Sequence, residues 1–219
     1  MQPAKSMKAF LSVMAMLGWF ALIIQFRLML NSRLAPEGEL IIRYFSYFTI
    51  LTNLMVAICC TTLFLLPATA LGTFFSRPTV LTAIAVYILI VGIIYNLVLR
   101  FLWNPEGLQR LVDELLHSAI PILFGIYWVV FVEKDQLQWN SVWRWLLYPV
   151  VYIIYIFFRG ASSGFYPYPF IDVSQLGMEK ALINSGIIAL AFLLISLIFI
   201  GIAKRVKKGK DVPGIRQQP

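Results

Sequence analysis

The sequence predicts an all-α membrane protein, a single domain over 1–219 built as a bundle of six transmembrane helices. Three observations predict it. Of 219 residues, 60% are hydrophobic and only 13% charged, where a soluble domain has about 45–50% and about 25%. Mean hydropathy is +0.83, so the apolar excess belongs to the whole chain. Runs of about 20 mostly apolar residues, the length that crosses a bilayer, recur from one end to the other.

The predicted spans are 9–30, 45–66, 80–102, 115–132, 143–158 and 181–203. The first is too long, and lacks the cleavage site, for a removable signal peptide. The second holds both cysteines, Cys59 and Cys60; side by side in an apolar run, they read as small packing residues rather than a disulfide or a metal site. The fifth is the shortest and is rich in tyrosine. The sixth runs into a basic tail, 204–219. Between the last two lies GASSGFYPYPFIDVSQLGMEK, residues 160–180, too apolar for a solvated loop and too rich in proline for a helix. It is expected to lie on, or dip into, one end of the bundle. No internal repeat is evident.

Net charge is +8 and the pI near 9.6. No basic soluble domain is present to bind nucleic acid, so the charge reads as topology. With six spans both termini share a side, and eleven Lys and Arg fall there against seven opposite. The excess predicts cytoplasmic termini in the cell membrane. The outer side then holds seven acids and the inner side three.

Polar groups inside a membrane are functional candidates by default, and here they gather toward the predicted outer side. Thr49, Thr52 and Asn53 share one face of the second helix at i, i+3 and i+4. Asn96, Arg100 and Trp103 share a face of the third. His117, the one histidine, follows Asp113 and Glu114 at i+4 and i+3 near the start of the fourth, at a depth like that of Thr49. A histidine there suits a general base, with Asp113 or Glu114 orienting it. Tyr148, Tyr152, Tyr155 and Arg159 run down the fifth. Arg43, Arg100 and Arg159 end three helices on the outer side, suited either to a carboxylate or phosphate head group or to pairing with neighbouring acids. Thr and Asn also bond helix to helix, which is the structural alternative for that face. One histidine cannot form a bis-histidine haem site, no zinc ligand set is present, and no cofactor is expected. Gly160–Gly164 (GASSG) has the look of a rhomboid-protease serine loop, but its serines follow His117 in the chain, the reverse of the rhomboid order.

Three stretches carry a resemblance: residues 43–54 (RYFSYFTILTNL); Asn104-Pro105-Glu106-Gly107 followed by 113–121 (DELLHSAIP); and Trp145-Leu146-Leu147-Tyr148-Pro149 with Arg159-Gly160 and 166–173 (YPYPFIDV). Together, over about residues 10–203, they resemble a bacterial family of six-span integral membrane proteins. That family is similar, more distantly, to the eukaryotic androgen-induced membrane proteins, threonine hydrolases that cleave fatty-acid esters of hydroxy fatty acids with one intramembrane Thr and one His. The resemblance implies Thr49, after Tyr47-Phe48, as nucleophile and His117, before Ser118-Ala119-Ile120-Pro121, as base. Thr52 is the rival nucleophile one turn away. The YPYPF segment departs from the eukaryotic pattern.

The expectation is therefore an intramembrane hydrolase of lipid esters acting on a lipid or fatty-acyl partner. Asn53 or Asn96 would supply an oxyanion donor, an Arg among Arg43, Arg100 and Arg159 would hold a lipid carboxylate, and Tyr152, Tyr155, Tyr166 and Tyr168 would line the acyl channel, with Trp103 and Asp172 nearby. The alternative is a non-catalytic lipid or small-molecule binder or a transporter, which needs only the basic mouth and the aromatic stripe.

Overall fold

A computed structural model describes residues 5–210, with side chains to residue 206; the end of the basic tail lies outside the described residues. Among these residues every regular element is helical. The principal helices are α1 (Lys5–Asn31), α2 (Glu37–Ser46), α3 (Phe48–Leu65), α4 (Ala70–Phe75), α5 (Pro78–Leu97), α6 (Gly107–Glu114), α7 (Ile120–Phe131), α8 (Ser141–Ser163), α9 (Val173–Leu176) and α10 (Met178–Lys210). Six stretches are long and apolar enough to cross a membrane: Lys5–Asn31, Phe48–Leu65, Pro78–Phe101, Gly107–Phe131, Ser141–Ser163 and Met178–Val206. The expected six spans are all present, and the chain reads as a multi-pass membrane protein.

Helices α3 and α5 form the centre. Their most apolar windows are 61% buried, against 28–33% in the other four spans. The outer four turn large apolar side chains outward, among them Met16, Val129, Phe158 and Ile187, a surface that only lipid solvates well. Helix α1 closes on α3 at Gly18, where an added Cβ would stand 3.0 Å from that of Ala57. Small residues at such a contact let two membrane helices approach closely.

The second span differs from the expected continuous helix over 45–66. It is interrupted at Tyr47, which is extended (φ −83°, ψ 126°) between α2 and α3. Helix α2 has its own polar logic: Glu37 and Glu39 lie in its first turn and Arg43 in its last, each sign at the favourable end of the helix dipole. The fourth span starts earlier than expected, at Gly107, and contains a π-helical turn, Leu115–Ala119, between α6 and α7. The fifth is longer than expected, 23 residues, and stops at Gly164 (φ 72°), whose N–H bonds the Gly160 carbonyl. Glycine takes that left-handed conformation without penalty.

Two prolines lie within spans, and each leaves the carbonyl four residues earlier without its helical donor. Tyr87 of α5 donates to the Trp145 carbonyl (2.8 Å), the one released by Pro149. Asn96, also of α5, donates to the His117 carbonyl (3.3 Å), the one released by Pro121. Gly92 permits the second contact: a Cβ there would lie 3.2 Å from the His117 oxygen and 3.0 Å from Pro121.

The segment between α8 and α10 is a strap laid across one end of the bundle. Tyr166 packs so closely on Gly160 that a Cβ at that glycine would overlap its ring. Ile171 is buried, and Asn184 of α10 donates to the Phe170 carbonyl (2.8 Å). Gly160→Ala is expected to destabilise the protein by about 1–3 kcal/mol, the usual cost of overpacking. Gly186→Ala, where a Cβ meets nothing within 4 Å, should leave the thermal midpoint of the detergent-solubilised protein unlowered; equal midpoints for the two variants would contradict the fit of Tyr166.

Candidate functional site

The interruption at Tyr47 sets the site. It puts Thr49 in the first turn of α3, where backbone N–H groups lack helical acceptors. Two tyrosines supply oxygens instead. Phe48 N–H donates to the Tyr152 hydroxyl (3.2 Å), which itself donates to the Ser46 carbonyl (2.8 Å). Thr49 N–H donates to the hydroxyl of Tyr168 (3.2 Å), and the same phenol oxygen lies 3.3 Å from Thr49 Oγ1. Tyr168 comes from the strap, as the YPYPF segment was expected to dip inward, and is held by stacking on Phe170 (centroids 5.1 Å apart, 6° between planes) and by the edge of Tyr47. Desolvation pushes the Tyr168 phenol up to about 12, so it stays protonated at neutral pH.

Two cavities meet at Thr49. One, of about 340 Å³, is lined by Thr49, His117, Asp113, Tyr95, Gln25, Gln109, Trp103 and Tyr168, with apolar neighbours. The other, of about 130 Å³, is almost wholly apolar, walled by Phe48, Ile90, Ile94, Pro149, Tyr152, Ile188 and Phe192. Thr49 and Tyr168, with Leu99, belong to both. A ligand with a polar centre and an apolar arm would place that centre at Thr49.

His117 lies in the π-helical turn, which brings its Nδ1 to 2.9 Å from the Asp113 carbonyl oxygen and 3.2 Å from Asp113 Oδ1. Both partners are acceptors, so Nδ1 carries the proton and Nε2 is left with a lone pair. Tyr95 donates to the other oxygen of Asp113 and stacks on the imidazole (centroids 4.1 Å, 16°). The ring is thus fixed in plane and tautomer. Thr49 and His117 face one cavity but share no hydrogen bond with each other.

The remaining sequence-nominated residues divide clearly. Asn53 bridges the Thr49 and Leu116 carbonyls (2.9 and 3.1 Å), tying α3 to the π turn. Asn96 donates to the Gly92 carbonyl as well as to His117. Neither amide lines a cavity. Thr52 is fully buried and also faces neither. Glu114 does not touch His117; it grips Arg100 with both oxygens (2.6 and 2.7 Å). Arg43 and Arg159 share one oxygen of Glu39, both at 2.8 Å. Arg159 also contacts Ser46 and Ser163, and both guanidinium groups lie over the Phe165 ring. So all three arginines are paired internally and none lines either cavity. Tyr155 bonds Ser46 (3.3 Å), and Asp172 caps α9 through the Ser174 N–H (2.9 Å). Sequence reasoning missed Tyr95, Gln25 and Gln109. Tyr95 carried one signal: it adjoins Asn96 on the helix that faces His117.

The fold and site define a multi-pass membrane protein with a threonine, a histidine–aspartate pair and an apolar cavity at one end of its bundle. No family model, curated protein or solved structure matches the chain.

Glu39 ties α2 to α8 through Arg159 while also pairing with Arg43 of its own helix. Its hydrogen bonds with Arg43, then Arg159, hold its carboxyl below the ordinary value of 4.5. A lowered folded-state pKa adds stability that is complete above the unfolded value and is lost as pH falls through the folded one. Glu39→Gln should therefore melt below wild type at pH 7, with the gap closing as pH drops below 4.5. Thermal melts across that range check this; a gap independent of pH would contradict it.

Proposed function

We propose that this protein is an intramembrane hydrolase of lipid esters, of the fatty-acid-ester-of-hydroxy-fatty-acid type, with Thr49 as nucleophile and His117 as base. The observation that carries the reading is the position of Thr49, a residue common to an apolar cavity and to one that His117 lines. The resemblance of residues 43–54 and 113–121 to the bacterial family, and of Tyr47-Phe48-Thr49 and residues 117–121 to the androgen-induced hydrolases, supports the same two residues. Thr52 is the weaker nucleophile, since it faces neither cavity.

In this reading the acyl chain occupies the apolar cavity and the ester carbonyl sits at Thr49. Thr49 Oγ bonds to the carbonyl carbon as its proton passes to His117 Nε2, directly or through one water. The carbonyl oxygen becomes an oxyanion. When it collapses, the alcohol leaves with the proton from His117, and an acyl-threonine remains. Water, deprotonated by His117, then cleaves that ester and restores the hydroxyl. Asp113 keeps the imidazole in the tautomer that leaves Nε2 basic and stabilises the imidazolium. With the three arginines paired internally, the lipid carboxylate is left to the mouth of the larger cavity, near Gln25, Gln109 and Trp103.

Purified wild type should hydrolyse p-nitrophenyl esters and fatty-acid esters of hydroxy fatty acids, and Thr49→Ala and His117→Ala should each lower the rate by at least 10²-fold, the scale of losing a nucleophile or a general base. Full activity in either variant would refute these roles. No activity in folded wild type would favour the non-catalytic lipid binder instead.

The charge count further supports cytoplasmic termini in the cell membrane, with the site at the outer end. Ser162 is exposed at the C-terminal end of α8, beside the strap, and both native cysteines are buried. A Ser162→Cys variant in intact cells should react with a membrane-impermeant maleimide. Reaction only after the cells are opened would reverse the orientation.

A further inference from the structure

Attack on an ester creates an oxyanion on the carbon that the nucleophile has bonded, and a preorganised donor for it is commonly the largest single source of acceleration. The donors nominated from sequence are occupied elsewhere: Asn53 and Asn96 both direct their N–H groups at backbone carbonyls. Tyr152 is also engaged, since its hydroxyl donates to the Ser46 carbonyl. Tyr95 donates to Asp113. The Tyr168 hydroxyl is different. It lies 3.3 Å from Thr49 Oγ1, on a residue that lines both cavities and in a segment held by the stack on Phe170, the buried Ile171 and the Asn184 bond to the Phe170 carbonyl.

We infer that Tyr168 is a further catalytic residue, the phenol that donates to Thr49 Oγ in the resting site and to the oxyanion once Thr49 has attacked. The inference rests on the hydrolase reading and adds a third group to it. Thr49 N–H occupies one lone pair of the phenol oxygen; between the two hydroxyls, 3.3 Å apart, either oxygen can donate, and the proposed role has the phenol O–H donate to Oγ. This leaves the threonine's own proton free to face the cavity and His117. As the Oγ–carbon bond forms, Oγ becomes an ester oxygen and a poorer acceptor, while the former carbonyl oxygen gains a full charge beside it. The phenol O–H turns to that charge. Tyr168 keeps its proton throughout; the proton that moves is that of Thr49, taken up by His117 and delivered to the leaving alcohol. A bond that strengthens only in the transition state raises kcat and leaves KM nearly alone. The strap is on this account part of the catalytic machinery rather than a cover over it.

The test uses full-length protein in lipid nanodiscs with p-nitrophenyl octanoate as probe. Tyr168→Phe keeps the ring that stacks on Phe170. It is expected to lower kcat by about 10²–10³-fold, the usual effect of losing one oxyanion donor, with KM changed less than about threefold. A kcat within threefold of wild type, with Thr49→Ala inactive, would overturn the role of Tyr168 and leave the hydrolase reading standing. A folded wild type that does not hydrolyse the probe would overturn both. Should Tyr168→Phe misfold, 3,5-difluorotyrosine at position 168 keeps the hydroxyl but makes it more acidic. Its kcat should then fall on the alkaline side at a lower pH than wild type, because an ionised phenol cannot donate. An unmoved alkaline limb would overturn the proposal.

Discussion

A backbone N–H or carbonyl buried in a membrane without a partner costs several kcal/mol, because no solvent is there to replace the missing bond. The interruption at Tyr47 meets this constraint with side chains brought from two distant parts of the chain. Tyr152 of α8 takes the Phe48 N–H and fills the Ser46 carbonyl. Tyr168 of the strap takes the Thr49 N–H. Everything around the site depends on this arrangement. The interruption is tolerated only because the tyrosines complete it, and completing it brings the strap's phenol against the threonine hydroxyl. Structural need and proposed chemistry fall on the same atoms.

The same rule governs the histidine side. Pro121 releases the His117 carbonyl, and Asn96 fills it. The π turn shifts the histidine so that its Nδ1 meets both oxygens that Asp113 offers. Asn53 then links the Leu116 carbonyl of that turn to the Thr49 carbonyl of α3. The asparagines thus hold the two halves of the site in register rather than face a substrate. The arginines follow a parallel division. Each is paired with an acid from another part of the chain or from its own helix, as suits charges near a low-dielectric bundle, and Arg43 and Arg159, which share Glu39, meet the strap at the Phe165 ring.

Much of the fold was legible in the sequence, because membrane spans announce themselves by length and apolarity alone. All six appear near their expected places. What hydropathy could not register were the interruption at Tyr47, the π turn at His117 and the early start of the fourth span, whose first turns, GLQRLVDE at 107–114, are polar and amphipathic rather than apolar. The first two are completed by side chains remote in sequence. For the site, Thr49, His117, Asp113, Tyr152 and Trp103 could be nominated from shared depth and helix faces and Tyr168 from the proline-aromatic segment, and they do line the two cavities. The same reasoning could not separate a polar group that faces a cavity from one that mends a backbone, which is why Asn53, Asn96 and the arginines looked alike from sequence. Tyr95 escaped because its one signal, the neighbouring Asn96, does not reveal the carboxylate it meets.

The claim at the centre of this account is that the Thr49 hydroxyl is an activated nucleophile open to a lipid-sized electrophile. The most direct measurement is peptide mapping by mass spectrometry after the folded wild-type protein has reacted with an alkyl fluorophosphonate. The account predicts a phosphonyl adduct on Thr49, absent after prior denaturation. An adduct on another residue, or none on a folded sample, would contradict it.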